Sequence, residues 1–156
     1  MGTVKINIVS VGGLKEKYLA EALKEYEKRL TAFCEICFME TPECNDKNGA
    51  DEVKNAEGRL ILGRLEKLKG YTIALDDGGE TPDSIGFSEI IGAASERGAV
   101  NFVVGGSHGL SRSVLDKADK IISFGKMTFP HQLFRVILIE QIYRAFMIRA
   151  NRSYHK

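Results

Sequence analysis

Ala99-Val100-Asn101-Phe102-Val103-Val104-Gly105-Gly106-Ser107-His108-Gly109 decides the fold class. The run from 99 to 104 is apolar almost without a break, as in a strand covered on both faces in the middle of a parallel sheet. The glycine-rich turn at 105–109 stops it abruptly. Reading outward, strand and helix alternate. Downstream lie a short helix at 111–118 that Ser111 can cap, a strand at 121–124 and a helix at His131–Arg149. Upstream lie a helix at 87–96 after Pro82 and a strand at 71–75 that ends in the turn signal Asp76-Asp77-Gly78-Gly79. Nearer the start are strands at Val4–Val11 and 33–39 and helices at 14–30 and 50–67. The 14–30 helix places Leu14, Tyr18, Leu19, Ala22, Leu23, Tyr26 and Leu30 on its apolar stripe. This alternation predicts one α/β domain over residues 1–156, a mostly parallel sheet flanked by helices. The polar loop 41–51 is its expected mobile surface segment.

Composition narrows the function classes. The chain has 156 residues and a net charge of +1, enough for a real core and ordinary for a globular protein. Every long apolar run is interrupted by charge before it could span a membrane, and the N-terminus lacks a signal peptide's three-part form, so a cytoplasmic location is expected. Cys34, Cys37 and Cys44 are an odd number and far from His108, His131 and His155. They read as free thiols in a reducing compartment, not as zinc ligands. Charge is uneven: residues 100–156 hold nine Lys/Arg against three acids, which leaves the first 99 residues at −5. One basic face toward an anionic partner follows, with ordinary solvated Lys and Arg as the plain alternative.

Ligands of open α/β sheets bind beyond the carboxyl ends of the strands. Three ends stand out: Leu75 before Asp76-Asp77-Gly78-Gly79, Val104 before the glycine-rich turn, and Phe124 before Gly125-Lys126-Met127-Thr128. If these strands are neighbours, the loops share one pocket. The turn lacks both the G-x-G-x-x-G spacing and a Walker lysine, so dinucleotide and triphosphate sites are disfavoured. A ligand read by backbone groups, with an adenine-like ring in an apolar slot, fits better. Asp76-Asp77 has no third ligand, so no metal is expected. Ser107 with His131 as a hydrolase lacks the nucleophile elbow.

The 131–149 helix is apolar nearly all round, which predicts burial on several sides and a subunit interface. Glu140 and Arg144 have the spacing of an intrahelical pair. Arg135 or Arg144 could instead reach an anionic ligand or an RNA phosphate. The chain ends on Arg149-Ala150-Asn151-Arg152-Ser153-Tyr154-His155-Lys156. That tail carries a titratable base, a stacking ring and three cations, and it is either frayed or placed in a site.

Several stretches together resemble one family. They are Lys126-Met127-Thr128-Phe129-Pro130-His131-Gln132, Arg135-Val136, Glu140-Gln141-Ile142-Tyr143-Arg144-Ala145-Phe146, Tyr154-His155-Lys156, Val11-Gly12 with Leu14-Lys15-Glu16-Lys17-Tyr18, and Phe102-Val103-Val104-Gly105-Gly106-Ser107 with Gly109-Leu110. The chain is thereby similar to the ribosomal RNA large subunit methyltransferase H family, small SPOUT-class enzymes. The resemblance implies a C-terminal trefoil knot, a homodimer, and S-adenosylmethionine as methyl donor. It implies N3 methylation of a pseudouridine in 23S RNA of the assembled ribosome. Carried over, the donor contacts are Leu75, Gly105 and the loop Phe124, Gly125, Lys126, Met127, Thr128 and Phe129. His155 is then the candidate base, Tyr154 positions the target base, and Arg144 orients the substrate. Arg135, Arg149, Arg152 and Lys156 are the RNA contacts. The tail is expected to serve either its own or the partner's site. The rival readings are a SPOUT enzyme acting on tRNA and a non-enzymatic ribosome-binding factor.

Overall fold

The computed structural model describes residues 2–45, 47 and 49–156. Five strands form one all-parallel sheet in the order β2-β1-β4-β3-β5. They are β1 (Val4–Val11), β2 (Cys34–Thr41), β3 (Tyr71–Glu80), β4 (Val100–Val104) and β5 (Lys120–Ile122). The helices between them are α1 (Lys17–Leu30), α2 (Ala50–Leu65), α3 (Ser84–Ser95), α4 (Arg112–Lys117) and α5 (His131–Arg149). β4 is central and all five of its residues are buried, as its apolar run requires. Its one polar residue, Asn101, lies opposite Asn7 of β1, whose amide donates to Asn101 Oδ1 at 2.8 Å. A slip of one residue would bury two unpaired amides, so this pair helps fix the register.

Strand alternation assigns the two faces. Ile6, Ile8, Ile73, Leu75, Phe102 and Val104 meet the helical residues Leu30, Phe87, Ile91, Leu138, Ile139 and Phe146. Val9, Val11, Ala74 and Val103 meet Ile61, Leu65 and Val114 on the other face. Thus α1, α3 and α5 form one layer, and α2 and α4 the other. Among the described residues, no helix is long and apolar enough to cross a membrane.

The structure shifts several expected boundaries. α1 starts at Lys17, not 14, because the Lys15 backbone N–H is held by Gln132 Oε1 at 3.0 Å. Tyr18, expected on the core stripe, is 66% exposed. α3 starts three residues early because Asp83 caps it, accepting from Gly86 N–H at 2.7 Å. The Asp76–Gly79 segment does not end β3. Leu75 and Glu80 both pair with Ile122, so the four residues between them loop out as a bulge and the strand resumes. A glycine is required at 79, since a Cβ there would lie 2.7 Å from the Ile121 and Ile122 backbone. β5 stops at Ile122, which leaves Ser123 and Phe124 to open the following loop. In the loop 41–51, Cys44 N–H donates to Glu57, and Asp46 and Asn48 lie outside the described residues.

Candidate active site

β3, β4 and β5 are neighbours, so the three strand ends singled out above do converge. A cavity of about 860 Å³ opens there. Leu75, Val104, Ile122, Phe124, Phe129 and Phe134 supply its apolar wall. Gly105, Gly106, Ser107 and Gly109 line one side, and Gly125, Lys126, Met127 and Thr128 the other. All eight residues expected at the donor site line this one cavity. The size and the mix of apolar wall and backbone are those of a cofactor site.

Local sequence shapes both loops. Ser123 Oγ accepts from Gly125 N–H at 3.1 Å and donates to Gly125 O at 3.0 Å, which closes a tight turn. Gly125 has φ +117, a conformation side chains rarely adopt, and nothing lies within 4 Å of where its Cβ would sit. Gly109 is alike, with φ +84 and open space. The cavity is therefore faced by bare backbone at two points. Phe124 is anchored by Phe87 and Phe134, with ring centroids at 5.5 and 5.2 Å. Lys54 of α2 and His131 at the start of α5 also line the cavity.

The tail is docked, and it is docked elsewhere. Arg144 donates to Glu140 Oε1 from Nε at 3.1 Å and from Nη2 at 2.8 Å. Tyr154 O–H donates to the same oxygen at 3.1 Å, and its ring packs edge-on against Tyr143 at 5.0 Å and under the Arg144 guanidinium at 4.7 Å. Burial, reinforced by the Glu140 charge, pushes the Tyr154 phenol up to about 12, so it stays a donor at neutral pH. Arg144 Nη1 contacts His155 Nδ1 at 3.3 Å. A guanidinium only donates, so a hydrogen bond here engages the Nδ1 lone pair while the tail is docked.

The three expected catalytic residues are thus together, but not at their own cavity. Phe134 lines the cavity and Arg144 lies ten residues further along α5. That separation is roughly 15 Å along the helix axis.

Two expected RNA contacts are corrected or constrained. Arg135 is 3% exposed and donates from Nη2 to the carbonyls of Val11 and Gly12, with Glu40 at 3.9 Å from Nη1. Burial pulls its pKa down, opposed by Glu40 and Glu43. It ties α5 to the end of β1 and cannot reach an RNA phosphate. Arg149 is exposed but lies across Gly92 of α3, where a Cβ would sit 1.9 Å from Nη1. Arg152 is exposed, with its guanidinium over the Phe33 ring at 5.5 Å, and Lys156 is exposed. Among the described residues no cluster of His, Cys, Asp or Glu could hold a metal.

The sequence reading missed Lys54 and Glu57. The second had a signal: Val53, Glu57, Ile61 and Leu65 recur every four residues along α2, and all four are buried. An acid on the apolar stripe of a helix marks a position held for a reason other than packing.

Comparisons with known proteins place the whole chain among methyltransferases. A family model described as "Predicted SPOUT methyltransferase" matches residues 4–155. The ribosomal RNA large subunit methyltransferase H 1 of Clostridium perfringens is 46% identical over 160 aligned positions, covering 98% of this chain and all of that one. A probable methyltransferase from Bordetella pertussis has a similar structure, with TM-score 0.60, 11% identity, and coverage of 91% of this chain and 94% of that one. The SpoU methyltransferase AviRb from Streptomyces viridochromogenes, solved with AdoMet, has TM-score 0.52 and 9% identity, and covers 98% of this chain and 61% of that one.

Proposed function

Since the chain belongs to the SPOUT methyltransferase family, and within it to the ribosomal RNA large subunit methyltransferase H group, we propose that it methylates N3 of a pseudouridine in large-subunit ribosomal RNA. The methyl donor is S-adenosylmethionine. The proposed setting is the assembled ribosome in the cytoplasm, and the proposed working form is a homodimer. The observation that carries the reading is the convergence of Leu75, Gly105 and the 124–129 loop on one cavity. The residues fit the donor: aromatic and aliphatic side chains suit the adenine ring, and bare backbone at Gly109 and Gly125 allows close approach. The family implies a C-terminal trefoil knot with the donor bound in it.

When bound, the donor supplies an electrophilic methyl carbon with a neutral thioether as leaving group. The protein's contribution is mainly positioning, because an in-line displacement needs the nucleophilic nitrogen aligned opposite that leaving group. The Ser123–Gly125 turn and the Phe87–Phe124–Phe134 packing hold the cavity wall rigid. The N3 proton must leave as the new bond forms. His155 takes it once the nucleotide draws the ring away from Arg144, and the released Nη1 of Arg144, still held to Glu140 by Nε and Nη2, orients the base and offsets its developing negative charge. Tyr154, un-ionised, packs against or hydrogen-bonds the base edge. Arg152 and Lys156 face the RNA phosphates.

A homodimer would bring a second tail to each cavity. Each tail docks on the Glu140–Arg144 turn of α5, outside its own cavity, so a second copy is the natural source of His155 for each cavity. The partly exposed apolar residues Leu133, Val136, Ile137, Met147 and Ile148 of α5, with Ile85 of α3, offer the surface for it. The test is mass-spectrometric mapping of methylated nucleotides, offering assembled ribosomes and purified tRNA to the protein. Methylation of a large-subunit pseudouridine is expected, and methylation of tRNA alone would refute the substrate assignment.

A further inference from the structure

Glu57 is buried to 2% exposure, and the scheme above gives it no part. Its Oε2 accepts from the Cys44 backbone N–H at 3.1 Å, while Oε1 has no hydrogen-bond partner among the described residues. A buried, half-paired carboxyl is unfavourable, and a helix stripe of Val, Ile and Leu would pack better without it. Its surroundings suggest what it is held for. Both carboxyl oxygens lie directly behind Gly106: a Cβ there would meet Oε1 at 3.0 Å and Oε2 at 3.3 Å. The next residue, Gly58, meets the far end of the same loop, since a Cβ on it would lie 2.2 Å from Ser111 Oγ, the cap of α4. α2 therefore braces the segment 105–111 at two points, and residues 105–110 line the cavity.

The amides of Gly106 and Ser107 are one and two bonds from the Gly106 Cα. The Gly106 carbonyl accepts from Gly109 N–H at 3.0 Å, so a turn of the Gly106–Ser107 peptide toward the unpaired oxygen exchanges that bond for one to Glu57. We propose that Glu57 is a positioning residue of the methyl-donor site, whose free Oε1 accepts a backbone N–H of Gly106 or Ser107 when the donor fills the cavity and so fixes the glycine-rich loop in its bound shape. Through the Cys44 contact the same carboxyl couples residues 42–45 to that change. The inference rests on the cavity being the donor site.

Calorimetry with S-adenosylmethionine on full-length wild type and Glu57→Gln, beside thermal unfolding of both, separates positioning from bulk stability. The donor Kd is expected to weaken roughly tenfold, as for loss of one buried hydrogen bond. Amide NMR of the wild type is expected to show Gly106 or Ser107 N–H moving downfield as donor is added. A lower Tm with unchanged Kd overturns the proposal, as does a wild-type spectrum in which neither amide moves. If Glu57→Gln does not fold, the wild-type spectrum decides. Failure of the wild type to bind the donor at all overturns the cavity assignment, and this inference with it. That outcome is distinct from normal wild-type binding with an indifferent Glu57→Gln.

Discussion

If each tail serves its partner's cavity, two inactive variants should rescue each other. Thr128→Trp fills the cavity from an exposed position and should abolish donor binding without disturbing the core. His155→Ala removes the proposed base, whose loss should lower kcat by about 10² or more. Each variant alone is then nearly inactive. Docked on Glu140 and Arg144, the tail does not line its own cavity. Co-folding equal amounts of the two chains gives about half heterodimers, each with one intact cavity facing one intact tail, so about one quarter of wild-type activity should return. The assay is methyl incorporation into ribosomes at fixed total protein, with analytical ultracentrifugation to confirm the oligomeric state. Activity that stays at the level of the separate variants, in a mixture shown to contain heterodimers, would refute the transfer of the tail between subunits. It would require the tail to undock and fold back on its own chain.

Four further outcomes follow from particular contacts. Arg135→Met should lower stability by about 2–3 kcal/mol, since it strips charged donors from two backbone carbonyls, and should leave the salt dependence of ribosome binding unchanged; Arg152→Ala or Lys156→Ala should instead reduce that salt slope. Gly79→Ala should destabilise by about 1–3 kcal/mol and loosen donor binding, because its methyl group meets the β5 backbone; Gly92→Ala should be milder, since the atom displaced is the end of the Arg149 side chain, and denaturant titration compares the two. The Tyr154 phenol, raised above its ordinary value of 10 to about 12, keeps its proton longer in the docked tail than in a free one. Its contribution is whole below pH 10 and lost as pH rises toward 12, so tail docking, followed by phenolate absorbance, should weaken across that window. The Cys34 thiol is likewise pushed up by burial to about 12, so mass spectrometry after brief alkylation at pH 8 should find Cys34 unmodified until the chain unfolds.

The sequence alone determined the alternation of elements, because apolar periodicity reports which side of an element is covered. The run at 99–104 marked the central strand, α5 began and ended where its pattern did, and Ser111 capped α4 as expected. Three glycine-bearing or polar loops at strand ends, together with the family resemblance, located the cavity. Other features depended on what lies across from a residue, which periodicity does not encode. Asp76–Gly79 has the composition of a turn, yet β5 pairs on both sides of it and keeps the strand going. Arg135 looked like an RNA contact until α5 was seen packed against the carbonyl end of β1, where a guanidinium satisfies backbone acceptors. Glu57 was hidden in a charged helix until Gly106 was found against it. The tail was legible as chemistry but not as geometry. Only the packing of Tyr154 on Tyr143, and the grip of Glu140 and Arg144, placed it on the Glu140–Arg144 turn of α5, outside its own cavity.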